Sequence, residues 1–231
     1  MDPILKFCFF RISKTENIAL SARKYRDLRL KALLASPASF SSTYEIESAF
    51  TDAEWIKLLT ADGRETFICA TICPQDDTQQ GSHHAEWVGQ VTIRGPLTHE
   101  LSLQNCTLEE ANASGTINGY ERWQMLSLFT FSQFRGQGLG KRLCQETFGF
   151  IKAYRSQPDT AQVCLIVKSD NLTAIKLYER LGFHHAGRCT LVDALIANGE
   201  DLIPADISGP KYTDLTGSIM KYSIIRSKRF V

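Results

Sequence analysis

The stretch LSLFTFSQFRGQGLGKRLCQETFGF, residues 126–150, sets the architecture of the chain. It opens inside an apolar run, Trp123 to Phe131, that reads as a strand. It closes in a helical pattern from Gly138 to Tyr154, with Leu139, Leu143, Phe148, Phe150 and Ile151 among its apolar positions. Between the two lies Arg135-Gly136-Gln137-Gly138-Leu139-Gly140-Lys141. A helix start leaves its first N–H groups unpaired and carries a partial positive charge, so it attracts phosphate without needing a basic side chain. Gly136, Gly138 and Gly140 permit close backbone approach and positive φ, while Arg135 and Lys141 add charge beside the turn. The spacing and the Lys-Ser/Thr pair of a Walker loop are absent. A glycine turn alone could equally be a plain strand-to-helix connection.

Towards the C-terminus, Val163 to Val167 is short and continuously apolar, as expected of a strand covered on both faces. A second helix spans Asn171 to Leu181 and is stopped by Gly182. The chain then runs through His184 to Val192, a polar insertion with Pro204 and Gly209-Pro210, and a last strand around Ser218 to Ile224. Towards the N-terminus, Phe7 to Ser13 reads as a strand and Asn17 to Leu34 as a helix ended by Ser36-Pro37. Thr51 with Glu54 forms a capping-box pattern opening a helix through Trp55, Leu58 and Leu59. Glu65 to Cys73 and Trp87 to Ile93 read as a hairpin with a long polar loop, and Gly95 to Gly119 as a surface insertion. With no repeat and no clear linker, residues 1–231 are expected to form one α/β domain with variable insertions around 95–120 and 193–210. The hairpin implies antiparallel pairing and the strand-helix-strand unit a right-handed parallel crossover, so the sheet should be mixed.

The chain has 231 residues, 43% hydrophobic and 22% charged, enough to bury a core and too apolar for extended disorder. A net charge of +1, spread along the chain, gives no electrostatic footprint for nucleic acid, and the basic end Arg226-Ser227-Lys228-Arg229 reads as a solvated tail. Seven scattered Cys residues suggest neither a disulfide framework nor a zinc knuckle, and the five His residues lack carboxylate spacing that would complete a metal site. Met1-Asp2-Pro3 is acidic where a secretory signal would be basic, and no run approaches a membrane span, so a cytoplasmic, soluble protein without a membrane partner is expected.

The second half, through VCLIVKSDNLTAIKLYERLGF (residues 163–183), resembles the GNAT acetyltransferase superfamily. Arg135, Gly138 and Gly140 match its first signature. Asn171, Ala174, Tyr178, Gly182 and Phe183 match its second, with the intervening strand in place. YRDLRLKALLASPASFSSTYEIE (residues 25–47) looks like the first helix and loop of many small members. The resemblance implies a single acyl-CoA-binding domain with a central, mostly antiparallel sheet and one splayed parallel strand pair. It implies acetyl-CoA as cosubstrate, no metal, and transfer of an acetyl group to an amine. Backbone near Leu128 and Thr130 would meet the pantetheine amides, and N–H groups of Gly136, Gln137, Gly138, Leu139, Gly140 and Lys141, beside Arg135, would bind the pyrophosphate. Asn171 would hydrogen-bond near the cofactor arm, or cap its helix, or both.

Tyr178 falls where many members place the acid that protonates the leaving thiolate; its alternative is packing on its helix. Members often carry the general base as a Glu on the strand before the turn. Here that strand has none, so either Glu121, just ahead of it, acts through water, or the amine arrives neutral as an arylamine would; Glu86 is a weaker candidate. Phe40, Tyr44 and Trp55 lie on segments that usually form the acceptor side, with core packing favoured for Trp55. The acceptor expected is a small-molecule amine, enclosed by the insertions, and a homodimer is compatible with it. A peptide or protein N-acetyltransferase and a noncatalytic acyl-CoA-binding module remain the alternatives.

Overall fold

The computed structural model describes residues 5–72, 85–97, 120–199 and 206–226. Among the described residues seven strands form one sheet, in the order first, second, third, fourth, fifth, seventh, sixth, mostly antiparallel with one parallel pair, the fourth and fifth. Contacts divide the chain into two compact units, one of Met1–Thr92 with Ser127–Thr147, the other of Ile93–Leu126 with Phe148–Val231.

In the first unit, β1 (Lys6–Arg11) pairs antiparallel with β2 (Arg64–Ile72), from Lys6↔Ile72 to Arg11↔Phe67. Helix α1 (Ile18–Ala35) forms because Ala22, Tyr25, Leu28, Ala32 and Leu33 recur at three- and four-residue steps and all become buried. It ends at Ser36, before Pro37. The short α2 (Tyr44–Ser48), which sequence pattern does not separate from a loop, starts where the Thr43 side chain accepts from the Ile46 N–H. Helix α3 (Asp52–Thr60) carries the expected capping box in both directions, Thr51 with Glu54. Ile12, Tyr25, Leu28, Trp55, Leu59, Ile68 and Ala70 form one core. Within it the Trp55 ring lies 6.0 Å from Tyr25 and 5.5 Å from Phe50. Trp55 is therefore a core residue.

Strands β3 (Trp87–Arg94) and β4 (Tyr120–Thr130) and helix α4 (Leu139–Tyr154) each change unit part-way along. Gly89 brings β3 close to the end of β4, since a Cβ there would lie 3.0 Å from both the Phe129 carbonyl oxygen and the Thr130 methyl. β4 begins three residues before the apolar run does, which puts Glu121 inside the strand and not ahead of it.

In the second unit, β5 (Thr160–Lys168) pairs parallel with β4 from Tyr120↔Thr160 to Met125↔Leu165, where the ladder ends although both strands continue. β5 also pairs antiparallel with β7 (Gly217–Ile225) along its whole length. Its burial alternates: Val163, Leu165 and Val167 are buried while Cys164 and Ile166 are half-buried. The continuous apolar run thus overstates how fully its second face is covered. Helix α5 (Leu172–Arg180) is followed by Gly182 at φ +94°, the stop expected there. β6 (His184–Cys189) pairs with β7 through an irregularity between His185 and Gly187.

Between β6 and β7 the chain departs from the polar insertion expected. Helix α6 (Leu191–Asn198) opens with a Thr190/Asp193 capping box and ends at Gly199, φ +69°, and a short α7 (Pro210–Thr213) precedes β7. The expected insertion around 95–120 falls largely outside the described residues, as does the loop after Ile72.

Candidate functional site

The glycine turn belongs to the first unit. A 3-10 turn, Ser132–Phe134, leads from β4 to Arg135, whose Nε donates to the Thr130 carbonyl at 3.1 Å. That bond closes the loop and holds the guanidinium beside it, so Arg135 acts on the turn's conformation as well as its charge. Gly136 and Gly138 adopt φ +79° and +77°, a region that side chains resist, and a Cβ on either would meet nothing within 4 Å. The backbone there faces open space. The Gly138 carbonyl accepts from Arg142 N–H at 3.0 Å, which makes Gly138 the residue that opens α4. The first N–H groups after it have no partner within the helix. Gln137 and Lys141 are exposed, whereas Leu139 turns into the core at 6% exposure. These residues fit a pyrophosphate: open backbone, a helix start and two cations.

Before the turn, β4 is interrupted by Ser127, whose φ of +56° is a left-handed value rare for a non-glycine residue in a strand. The interruption precedes Leu128 and Thr130, both half-buried. Ser127 is held from two sides. Arg29 of α1 donates from Nη1 to the Ser127 Oγ at 3.1 Å, and Gln90 of β3 donates from Nε2 to the Ser127 carbonyl at 3.4 Å.

Arg29 also forms a forked pair with Glu47 of α2, Nε to Oε2 at 2.9 Å and Nη2 to Oε1 at 2.6 Å, with both side chains buried. Its guanidinium stacks 4.5 Å from the Phe40 ring, which in turn lies 6.0 Å from Phe129. Phe40 is thereby placed against β4. Tyr44 starts α2 and is half-buried.

Sequence pattern assigns no role to Arg29, Glu47 or Gln90. One signal for Arg29 is present: it falls on the buried stripe of α1, four residues after Tyr25 and four before Leu33.

The second unit holds the remaining candidates. Asn171 caps α5, its Oδ1 accepting from Ala174 N–H at 3.1 Å. Tyr178 is 8% exposed, with its ring 5.6 Å from Phe183 in an edge arrangement. Phe183 continues into Phe148 and Tyr222, so the Tyr178 ring is packed as well as positioned.

Glu121 is a different case. Its carboxylate is fully buried and accepts from the Trp123 indole, Arg155 and Arg226. Arg226 in addition donates to the Ile151 and Pro158 carbonyls, both at 2.9 Å. These three donors pair the carboxylate that the sequence offers as a base acting through water. Glu86 is exposed, just ahead of β3, where its backbone pairs with Thr71. Among the described residues no group of three or more His, Cys, Asp or Glu side chains could hold a metal ion.

Residues 105–185 match the family model of the acetyltransferase (GNAT) domain. The match takes in β4, the glycine turn, α4, β5 and α5, and both sequence signatures. Arabidopsis thaliana NAA60 in complex with a bisubstrate analogue has a similar structure at 17% identity, covering 95% of this chain and 99% of that one, with a TM-score of 0.54. NAA60 in complex with acetyl-CoA superimposes with a TM-score of 0.53 at 16% identity, over 95% and 99% of the two chains. A GNAT-family acetyltransferase from Streptococcus pneumoniae reaches 0.55 at 15% identity, covering 95% of this chain and all of that one. At these identities the likeness establishes the fold, a mixed sheet of the GNAT type. A search of curated proteins finds no match. No helix among the described residues is long and apolar enough to cross a membrane.

Proposed function

We propose that the chain is an acetyl-CoA-dependent N-acetyltransferase acting on a small-molecule amine. The observation that carries this reading is the turn at Gly136 and Gly138: two left-handed glycines with open space above them at a helix start, flanked by Arg135 and Lys141. Backbone of Gly136 to Lys141 would hold the pyrophosphate, and backbone around Leu128 and Thr130 the pantetheine arm. When bound, acetyl-CoA supplies an activated thioester carbonyl. The amine nitrogen would attack that carbon, a C–N bond would form as the C–S bond breaks, the Tyr178 hydroxyl would give its proton to the departing thiolate, and the proton shed by the nitrogen would pass through solvent to restore the phenol. A phenol, with an ordinary pKa near 10, is suited to that donation at neutral pH. Asn171 would contribute near the cofactor arm with the part of its amide not used in capping.

An alkylamine is only about one part in a thousand neutral at pH 7, an equilibrium cost of about 4 to 5 kcal/mol. With Glu121 committed elsewhere, the amine either loses its proton to solvent or arrives neutral, as an arylamine does. The small-molecule preference rests on the insertions read from the sequence.

Titrating acetyl-CoA into the purified protein by calorimetry tests the cofactor site directly. Micromolar one-to-one binding is expected, and its absence would remove the functional reading. CoA release measured across alkylamines, arylamines and short peptides then tests the acceptor class. Turnover confined to peptides would replace the small-molecule assignment.

A further inference from the structure

The first unit buries polar side chains where an apolar core would be cheaper. Thr66 of β2 and Thr92 of β3 hydrogen-bond to each other at 3.1 Å, at 3% and 0% exposure. Gln90, two residues along β3 from Thr92 and on the same face, is wholly buried. It reaches Ser127, and Ser127 is reached in turn by the buried Arg29–Glu47 pair. β2, β3, β4, α1 and α2 thus share one continuous polar stripe. Burying a polar group costs free energy unless it is paired, so a stripe of this kind calls for a reason.

Gln90 is where the pairing fails within this stripe; elsewhere among the described residues Trp55 Nε1, Arg64 Nε, Ser169 Oγ and Arg226 Nε are also buried without a hydrogen-bond partner. The Gln90 Nε2 donates to the Ser127 carbonyl, and because a carbonyl can only accept, that bond fixes which end of the amide is nitrogen. Its Oε1 is buried without a hydrogen-bond partner among the described residues. An orphaned buried carbonyl oxygen is destabilising and is ordinarily satisfied by water or a ligand. This oxygen belongs to a side chain pinned to Ser127, the left-handed residue immediately before Leu128. Backbone strain of that kind concentrates at functional positions.

We propose that Gln90 is the acceptor-binding residue of this enzyme, its Oε1 accepting an N–H of the incoming amine while Ser127 holds the side chain in place. The inference rests on the N-acetyltransferase reading above. It also narrows the acceptor. The carboxylate of the stripe, Glu47, is neutralised by its forked bond to Arg29, so recognition at Gln90 is by hydrogen bond and not by a free negative charge. An acceptor nitrogen bearing at least one N–H beyond the one lost in transfer is favoured, and its KM should change less than twofold between low and moderate salt.

The test uses the full chain and two probe amines, phenethylamine and the peptide Ala-Gly-Gly. In Gln90→Met, which keeps the volume and removes both polar atoms, kcat/KM for the better probe should fall at least tenfold. The Kd for acetyl-CoA should stay within twofold of wild type. An unchanged kcat/KM overturns the proposal, as does a fall matched by an equal loss of acetyl-CoA affinity.

If Gln90→Met does not fold, or neither probe is turned over, the wild-type protein decides. With CoA bound, the Gln90 side-chain amide resonance of the 15N-labelled protein should shift on adding phenethylamine or Ala-Gly-Gly at millimolar concentration. No shift with either probe overturns the proposal. Failure of the wild type to bind acetyl-CoA is a separate result, and it removes the acetyltransferase reading on which this inference stands.

Discussion

At Gly138 the backbone is left-handed and the space beyond it is open, so a side chain would not clash with the protein but would project over the turn. Gly138→Glu is therefore expected to fold with a modest loss of stability, about 1 kcal/mol for a left-handed non-glycine residue. It should nonetheless abolish acetyl-CoA binding in calorimetry, because bulk and negative charge replace the pyrophosphate. Retained binding would mean that the turn is only a connection. Tyr178→Phe keeps the packing against Phe183 and removes the hydroxyl. It should lower kcat about 10²-fold with little change in acetyl-CoA affinity, in line with a typical acid contribution. An unchanged kcat would return Tyr178 to a packing role. Glu121→Gln removes the charge from a buried carboxylate that serves Arg155 and Arg226. The buried Arg226 would then lack its counter-charge, and a loss of about 3 kcal/mol in a denaturant melt is expected. A variant of wild-type stability but with kcat reduced would restore Glu121 as a base.

Among elements, α6 shows how a local signal can be masked by its surroundings. Thr190 three residues before Asp193, then Ala194-Leu195-Ile196-Ala197 and Gly199, is a complete start-and-stop signal at the head of the stretch read from sequence as an insertion. The structure adds what the signal does not contain. Arg94 of β3 donates to the Ala197 carbonyl at 3.4 Å and lies against Gly199, where a Cβ would sit 2.1 Å from Nη1. Gln124 of β4 reaches Asn198 at 3.3 Å. A cation at the carboxyl end of a helix is favourable, so this contact is expected to anchor α6. Gly199→Ala should displace Arg94 as well as strain the turn, lowering the melting temperature by several degrees, on the order of a 1–2 kcal/mol loss. The α3 capping box and the Gly182 stop, by contrast, are legible because their geometry depends on neighbours within four residues.

For the molecule as a whole, burial governs thiol chemistry. Burial pushes Cys69 and Cys144 up to about 12. At pH 8 a thiol of that pKa is thiolate in about one molecule in 10⁴, so neither should react with a disulfide reagent while the protein is folded. Cys8, Cys69, Cys144, Cys164 and Cys189, free thiols among the described residues, should all react in denaturant. Fast modification of Cys144 in the native protein, located by peptide mapping, would show that the α4 core opens readily.

The order of elements apart from α2, α6 and α7, the glycine turn, the Asn171 cap and the two signatures are legible in the amino-acid sequence, because each depends on residues close along the chain. Helical and strand periodicity, a cap or a run of glycines is local physics. Sequence pattern is silent where partners are distant. Glu121 reads as the nearest acid to the strand before the glycine turn, and only folding brings Arg226, 105 residues on, to its carboxylate. Arg29 meets Ser127 across 98 positions, and Gln90 meets it across 37. Side-chain pairing at such separations is set by the register of strands and the packing of helices on them, and no single-sequence pattern encodes it. Which carboxylates are paired, and which buried oxygens lack a partner among the described residues, are therefore properties of the folded chain alone.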